Sequence, residues 1–172
     1  MCFGIDSAKN ILKIARDGGI NLFDNAETYG IDTFWPGSPA SHNIFFNLSG
    51  NPVGEAERIF GQAYSELAKE DPSKWRRSDV LITTKLFWGG DGLNERGLSR
   101  KHIMEGMDAS LKRLQLEYVD MIFCHRPDSL TPTETVVRAM TDLVRQNKAM
   151  AWGTSEWPAQ KITEAVWIAK TE

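Results

Sequence analysis

Four apolar runs in this chain each stop at a polar side chain with chemical capacity. Residues 20–23 stop at Asp24, 80–84 at Lys85, 119–124 at His125 and 149–154 at Ser155. Sequence with a helical period lies between successive runs. Strand followed by helix, repeated, builds a parallel sheet, because parallel strands need a crossover long enough to carry a helix. Sheets of this kind present reactive groups at the carboxyl ends of their strands. A carboxylate, an amine, an imidazole and a hydroxyl in such places, joined by Tyr29 a few residues beyond Asp24, point to an enzyme rather than a scaffold.

The intervening segments are consistent with that order. Asp6 or Ser7 is expected to cap a helix with the stripe Ala8, Ile11, Leu12 and Ala15, closed by Gly18-Gly19. A second helix begins near Gly54-Glu55, carries Ala56, Ile59, Phe60, Ala63, Tyr64 and Leu67, and breaks at Asp71-Pro72-Ser73. The charged stretch 74–77 reads as a solvated turn before the β-branched strand at 80–85. Gly89-Gly90-Asp91-Gly92 marks a loop, and Ser99 caps a helix bearing Ile103, Met107, Leu111 and Leu114. Residues 119–124 are almost continuously apolar apart from Asp120, as buried parallel strands are, with Cys124 as a small core residue. Thr131-Pro132-Thr133-Glu134 combines a capping box with proline at the first helical position, ahead of Val136, Val137, Met140, Leu143 and Val144. A last helix carries Ile162, Ala165, Val166 and Ala169. A doubly wound sheet and an eight-stranded barrel both fit this α/β order. The absence of a G-x-G-x-x-G turn after the first run weakens the dinucleotide-binding doubly wound option.

Residues 31–53 do not belong to the pattern. They hold Phe34, Trp35, Pro36, Pro39, Phe45, Phe46 and Pro52, lack Lys, Arg and Glu, and interrupt a connection that is normally a few residues long. The segment reads as an atypical insertion, either a lid or inserted, unspliced sequence. Asn47-Leu48-Ser49 matches a glycosylation acceptor, and because the N-terminal residues do not read as a secretory signal the match is expected to be chance.

Bulk properties narrow the function class. The length of 172 residues suits one domain, and 41% hydrophobic with 25% charged content is that of an ordinary soluble protein. A net charge of −3 gives no footprint for nucleic acid or an anionic membrane, and no apolar run is long enough to span a bilayer. Cys2 and Cys124 make no disulfide framework. A cytoplasmic location is the expectation. No residue is assigned to a metal, and His42 and His102 are expected to be exposed or structural.

The polar groups at the strand ends match the needs of carbonyl reduction. As hydride reaches carbon, the oxygen needs a proton. A tyrosine, with an ordinary pKa of about 10, donates it more readily beside an ammonium that stabilises the phenolate. The ammonium must be held charged, which a carboxylate does, and an imidazole can polarise or orient the carbonyl oxygen. Tyr29, Lys85, Asp24 and His125 are those four types.

The segment from Phe23-Asp24-Asn25-Ala26-Glu27-Thr28-Tyr29-Gly30 to Gly54-Glu55-Ala56-Glu57 resembles the signature of the aldo-keto reductase superfamily. Ile82-Thr83-Thr84-Lys85, Tyr118-Val119-Asp120, His125-Arg126-Pro127-Asp128 and Trp152-Gly153-Thr154-Ser155 are similar to its later motifs, in order. Lys85-Leu86-Phe87-Trp88-Gly89-Gly90, the stretch 96–103 and the stretch 113–120 resemble the branch containing voltage-gated potassium channel beta subunits and their microbial and fungal relatives. The resemblance covers nearly the whole chain except 31–53.

The resemblance implies a (β/α)8 TIM barrel and NADPH-dependent reduction of aldehydes or ketones, with Tyr29 as proton donor. Asp24, Tyr29, Lys85 and His125 match its catalytic tetrad. Asp24, His125 and Ser155 match cofactor-bordering positions, Ser155 the one that hydrogen-bonds the nicotinamide carboxamide, and Trp88 matches an aromatic on the substrate side. In the channel beta subunits the position of His125 is typically asparagine, so histidine argues for a working reductase. Barrels of this kind take about 250 residues. The strands placed here match the second to fifth of the family, so a truncated, partial barrel is expected, with weak NADPH binding and self-association through unpaired sheet edges. A channel-beta-like regulatory module and a nonfunctional mis-spliced fragment are the alternatives.

Overall fold

The computed structural model describes residues 4–29, 53–90 and 92–171. Helices and strands alternate: α1 (Ile5–Asp17), β1 (Leu22–Asp24), α2 (Glu55–Glu70), β2 (Leu81–Leu86), α3 (Arg100–Leu114), β3 (Val119–Cys124), α4 (Thr133–Arg145), β4 (Ala149–Thr154) and α5 (Ala159–Thr171). The strands form one parallel sheet in the order β1-β2-β3-β4. Crossovers of one hand between strands laid down in sequence order put every helix on the same face. Accordingly α1 packs on α2, α2 on α3, α3 on α4 and α4 on α5. A doubly wound sheet would reverse its strand order midway. The choice that periodicity leaves open is therefore decided in favour of a barrel-type layer. Of the atypical stretch 31–53, only Val53 falls within the described residues, and Cys2 and His42 fall outside them.

The sheet's two faces are chemically different, as a period of two requires. Phe23, Ile82, Leu86, Ile122 and Cys124 turn to the helices and meet Leu67, Ile103, Met107, Leu114, Val137, Met140 and Leu143. Burial pushes the Cys124 thiol up to about 12, so it behaves as a small apolar group. The alternate residues face the other way: Leu22, Leu81, Met121 and Phe123 are half-buried or exposed there. Asp24, Thr83 and Lys85 share that second face at its carboxyl end.

Several local expectations are corrected. Helix α1 starts at Ile5, with Gly4 as its N-cap residue and no side-chain cap; Asp6 lies in the first turn, where its charge meets the helix's positive end. Helix α4 starts at Thr133, so the N-cap position falls on Pro132, which has no side-chain acceptor, while the Thr131 hydroxyl one residue back donates to Asp128 at 2.8 Å. Ser99 does cap α3, accepting the His102 N–H at 3.1 Å. Of the apolar stripe on α5 only Ala165 is buried, while Ile162, Val166 and Ala169 are exposed.

The stretch 74–77 is not a solvated turn. Trp75 is 2% exposed and its carbonyl accepts the Tyr64 hydroxyl. Arg77 donates to Asp120 at 2.6 Å and stacks over Tyr118 at 4.2 Å. Asp120 also accepts the Ile82 N–H at 2.7 Å, which explains a carboxylate in a strand otherwise apolar.

Helices α2 and α3 approach so closely at Gly61 that a Cβ there would lie 2.5 Å from the Leu114 backbone. Alanine in place of glycine normally favours a helix by about 1 kcal/mol. Overpacking against rigid backbone costs about 1–3 kcal/mol and outweighs that gain. Gly61→Ala should therefore lower the urea midpoint of unfolding.

Candidate active site

The site is set by the register of the three leading strands. Asp24 pairs with Thr83 and Lys85 with Phe123, so the ends of β1, β2 and β3 lie side by side. Beyond the ladder, Asn25 N–H donates to the Thr83 carbonyl at 2.9 Å and Glu27 N–H to the Lys85 carbonyl at 3.2 Å. These bonds carry the turn that holds Tyr29 across the end of β2. His125 is anchored likewise, its N–H donating to the Leu86 carbonyl at 3.0 Å.

Lys85 is 8% exposed and fully partnered. Its ammonium forms an ion pair with Asp24 Oδ2, donates to the Asn25 carbonyl at 2.9 Å and donates to the Tyr29 hydroxyl at 3.0 Å. The Nζ atom also lies 4.6 Å from the centroid of the Tyr29 ring. Asp24 is oriented by Thr83, whose hydroxyl donates to Oδ1 at 2.6 Å. Tyr29 stays 39% exposed, so its hydroxyl meets the ammonium on one side while the ring borders solvent. The imidazole of His125 meets the Tyr29 ring edge-on, with centroids 5.9 Å apart. The sheet thus brings Asp24, Tyr29, Lys85 and His125 to one place.

The other residues named from the sequence lie in neighbouring loops. Ser155, just past β4, is tied to the His125 strand by its N–H, which donates to the Cys124 carbonyl at 3.0 Å. Trp88 follows β2 and packs edge-on against Phe87 with centroids 4.8 Å apart. His102, expected to be exposed or structural, is buried, with Nε2 3.4 Å from Glu27.

Two buried carboxylates behind the site went unread in the sequence. Glu27 is 1% exposed, beneath the loop bearing Trp88. Glu57 is fully buried and accepts the Thr84 hydroxyl at 2.5 Å and Arg113 Nε at 2.6 Å, bracing β2 one residue before Lys85. Glu57 lies in helical register with Phe60, Tyr64 and Leu67. A charge set in such an apolar stripe demands a buried partner, and that is the signal that could have found it.

His125 is 7% exposed, and burial, then the nearby charges of Arg126 and Lys85, lower its pKa to about 4. The ring is neutral at pH 7. Between the ordinary value near 6.5 and about 4, the unfolded chain binds a proton that the folded chain refuses. Its contribution to stability is complete above pH 6.5 and is lost as the pH falls to about 4, an effect on the order of 2 kcal/mol. His125→Asn should therefore lose less stability than the wild type on going from pH 7 to pH 4.5, measured by urea unfolding.

The fold recurs in known proteins. The aldo/keto reductase family model matches residues 4–172. A probable voltage-gated potassium channel subunit beta of Arabidopsis thaliana is 50% identical over 94% of this chain and 40% of its own length. A protein of the same description from Oryza sativa subsp. japonica is 48% identical over 96% of this chain and 42% of its own. The crystal structure of a thermostable aldo-keto reductase, Tm1743, in complex with the inhibitor epalrestat, superposes with a TM-score of 0.70 at 24% identity, over 96% of this chain and 47% of that one. The chain thus spans about two-fifths of the length of these plant relatives. A match along nearly the whole sequence, on a parallel sheet of the same architecture, makes this chain a member of the aldo/keto reductase family.

Proposed function

We propose that this segment carries the proton-transfer machinery of an NADPH-dependent reductase that converts aldehydes or ketones to alcohols, with Tyr29 as proton donor. The observation that carries the reading is the Tyr29 hydroxyl held 3.0 Å from a buried ammonium that is itself ion-paired to Asp24. Few structural needs call for a half-exposed phenol on a buried lysine; a proton donor needs both.

The residues present fit a nicotinamide cofactor. His125 Nδ1 and Asn25 Nδ2 are buried without a partner among the described residues, and such polar atoms call for a polar ligand. Ser155 would hold the carboxamide, with Asp24 and His125 bordering the ring. When bound, the reduced nicotinamide supplies hydride to the carbonyl carbon. Tyr29 gives its hydroxyl proton to the carbonyl oxygen, completing the alcohol. The charge left on the phenol oxygen faces the Lys85 ammonium, and Asp24 with the Asn25 carbonyl holds that ammonium in place. Neutral His125 has one N–H to offer the same carbonyl oxygen, stabilising the charge that develops there. Trp88 is assigned to the substrate side, against a small carbonyl compound in the cytoplasm.

Two further points belong to this reading. Among the described residues β1 and β4 each border the sheet on one side only, and parallel edges of that kind recruit further strands, so self-association of the chain through them is part of the proposal. No helix among the described residues is long and apolar enough to cross a membrane. The 50% identity to a plant protein described as a channel subunit favours a second reading, a regulatory module whose partner contacts matter more than turnover.

Tyr29→Phe discriminates between the readings. At saturating NADPH, with a panel of aldehydes and ketones, carbonyl-dependent oxidation should fall by about a hundredfold or more while NADPH affinity, read by fluorescence, stays put. Equal turnover in the two proteins would refute Tyr29 as donor, and no turnover in either would favour the regulatory reading.

A further inference from the structure

We propose that Glu27 is a positioning residue, clamping the loop that follows Lys85 to the turn that carries Tyr29 and so fixing the proton donor relative to the substrate-side Trp88. This deepens the reductase reading and rests on it. Glu27 is 1% exposed, and a buried carboxylate is costly unless its oxygens are satisfied. Its Oε1 accepts the Phe87 N–H at 2.5 Å and the Gly89 N–H at 2.8 Å, the two amides that flank Trp88. His102 Nε2, from the first turn of α3, lies 3.4 Å from the same oxygen. One side-chain atom therefore ties together β1's following turn, the Trp88 loop and α3.

The geometry on either side makes this a clamp rather than a stray contact. Tyr29 is two residues beyond Glu27, its N–H donating to the Ala26 carbonyl at 3.1 Å and its carbonyl accepting the Ala56 N–H at 3.1 Å. The turn from 26 to 29 is thus fixed at both ends. Gly89 has φ +43°, and a Cβ there would lie 1.4 Å from the Glu95 carbonyl oxygen, so the loop folds back on itself where the carboxylate grips it. At the far end of the loop Leu98 N–H donates at 2.7 Å to Asp128, three residues beyond His125. The loop is consequently held on one side next to Tyr29 and on the other next to His125. The Glu27 contacts lie beyond the last β1–β2 ladder pair, Asp24 with Thr83, so sheet formation does not need them.

The test uses Glu27→Ala and Glu27→Gln in the whole chain. Alanine leaves the Phe87 and Gly89 donors unpaired, whereas glutamine keeps an acceptor oxygen for both. Amide hydrogen exchange at Phe87 and Gly89 should accelerate by roughly tenfold or more in Glu27→Ala and return toward wild type in Glu27→Gln. Carbonyl turnover should fall at least about tenfold in Glu27→Ala, with NADPH affinity unchanged, and recover in Glu27→Gln. Asp128→Ala serves as the comparison, loosening Leu98 and sparing the amides around Trp88. Unchanged exchange at 87–89 in Glu27→Ala, or a glutamine variant as impaired as alanine, would overturn the clamp. Wild-type protein without turnover, or Tyr29→Phe as active as wild type, would instead sink the reductase reading, and exchange alone would then decide the clamp.

Discussion

The arrangement at the strand ends depends on how one ammonium is kept in a nearly dry place. Lys85 is 8% exposed, and an isolated charge there would be expensive to bury. It is tolerated because Asp24, the Asn25 carbonyl and the Tyr29 hydroxyl surround it with acceptors. Those acceptors come from the strand on one side and the turn that continues it. Satisfying the charge therefore fixes the position of the phenol as well. The same placement puts positive charge near His125, which adds to burial in keeping the imidazole neutral.

A second layer of carboxylates, Glu27 and Glu57 buried and Asp120 and Asp128 half-buried, braces that arrangement. Asp120 ties Arg77 to the edge of β2, Glu57 ties Arg113 to Thr84, and Glu27 and Asp128 hold the loop bearing Trp88. Asp128 shows how such a group is kept charged. Burial alone would raise its pKa, but the N–H groups of Leu98 and Leu130 and the Thr131 hydroxyl hold it below the ordinary carboxylate range. Carboxylates suit this task because each oxygen accepts more than one N–H, joining segments that no ladder connects. The loops at the strand ends thereby gain order that irregular backbone alone does not provide.

Much of the fold was legible because burial on one face leaves a periodic trace. The stripes of α2, α3 and α4 and the helix-facing residues of β2 and β3, Ile82, Leu86, Ile122 and Cys124, correspond to buried surfaces, whereas Leu81, Met121 and Phe123 of the same runs do not. The stripe on α5 was equally periodic, yet Ile162, Val166 and Ala169 face solvent among the described residues. Periodicity records which face is apolar, not whether something covers it. The capping pattern before α4 failed because the helix begins one residue later than the pattern expects, which leaves Pro132, without a side-chain acceptor, at the cap. Trp75 and Arg77 were misread because their partners, Tyr64, Tyr118 and Asp120, are remote in sequence.

By itself, the sequence determined the order of strands and helices and the residue types that arrive at each strand's carboxyl end, since both are local: period, propensity and the point at which an apolar run stops. It also placed Asp24, Tyr29, Lys85, His125 and Ser155 as the groups to watch. Only the tertiary structure decided that the strands lie in chain order with every helix on one face, because periodicity is blind to which strands are neighbours. Only it could set an ammonium between a carboxylate and a phenol, or show Glu27 gripping the amides on both sides of Trp88. Those are distances between segments some 60 residues apart, and a linear pattern of side chains contains no such length.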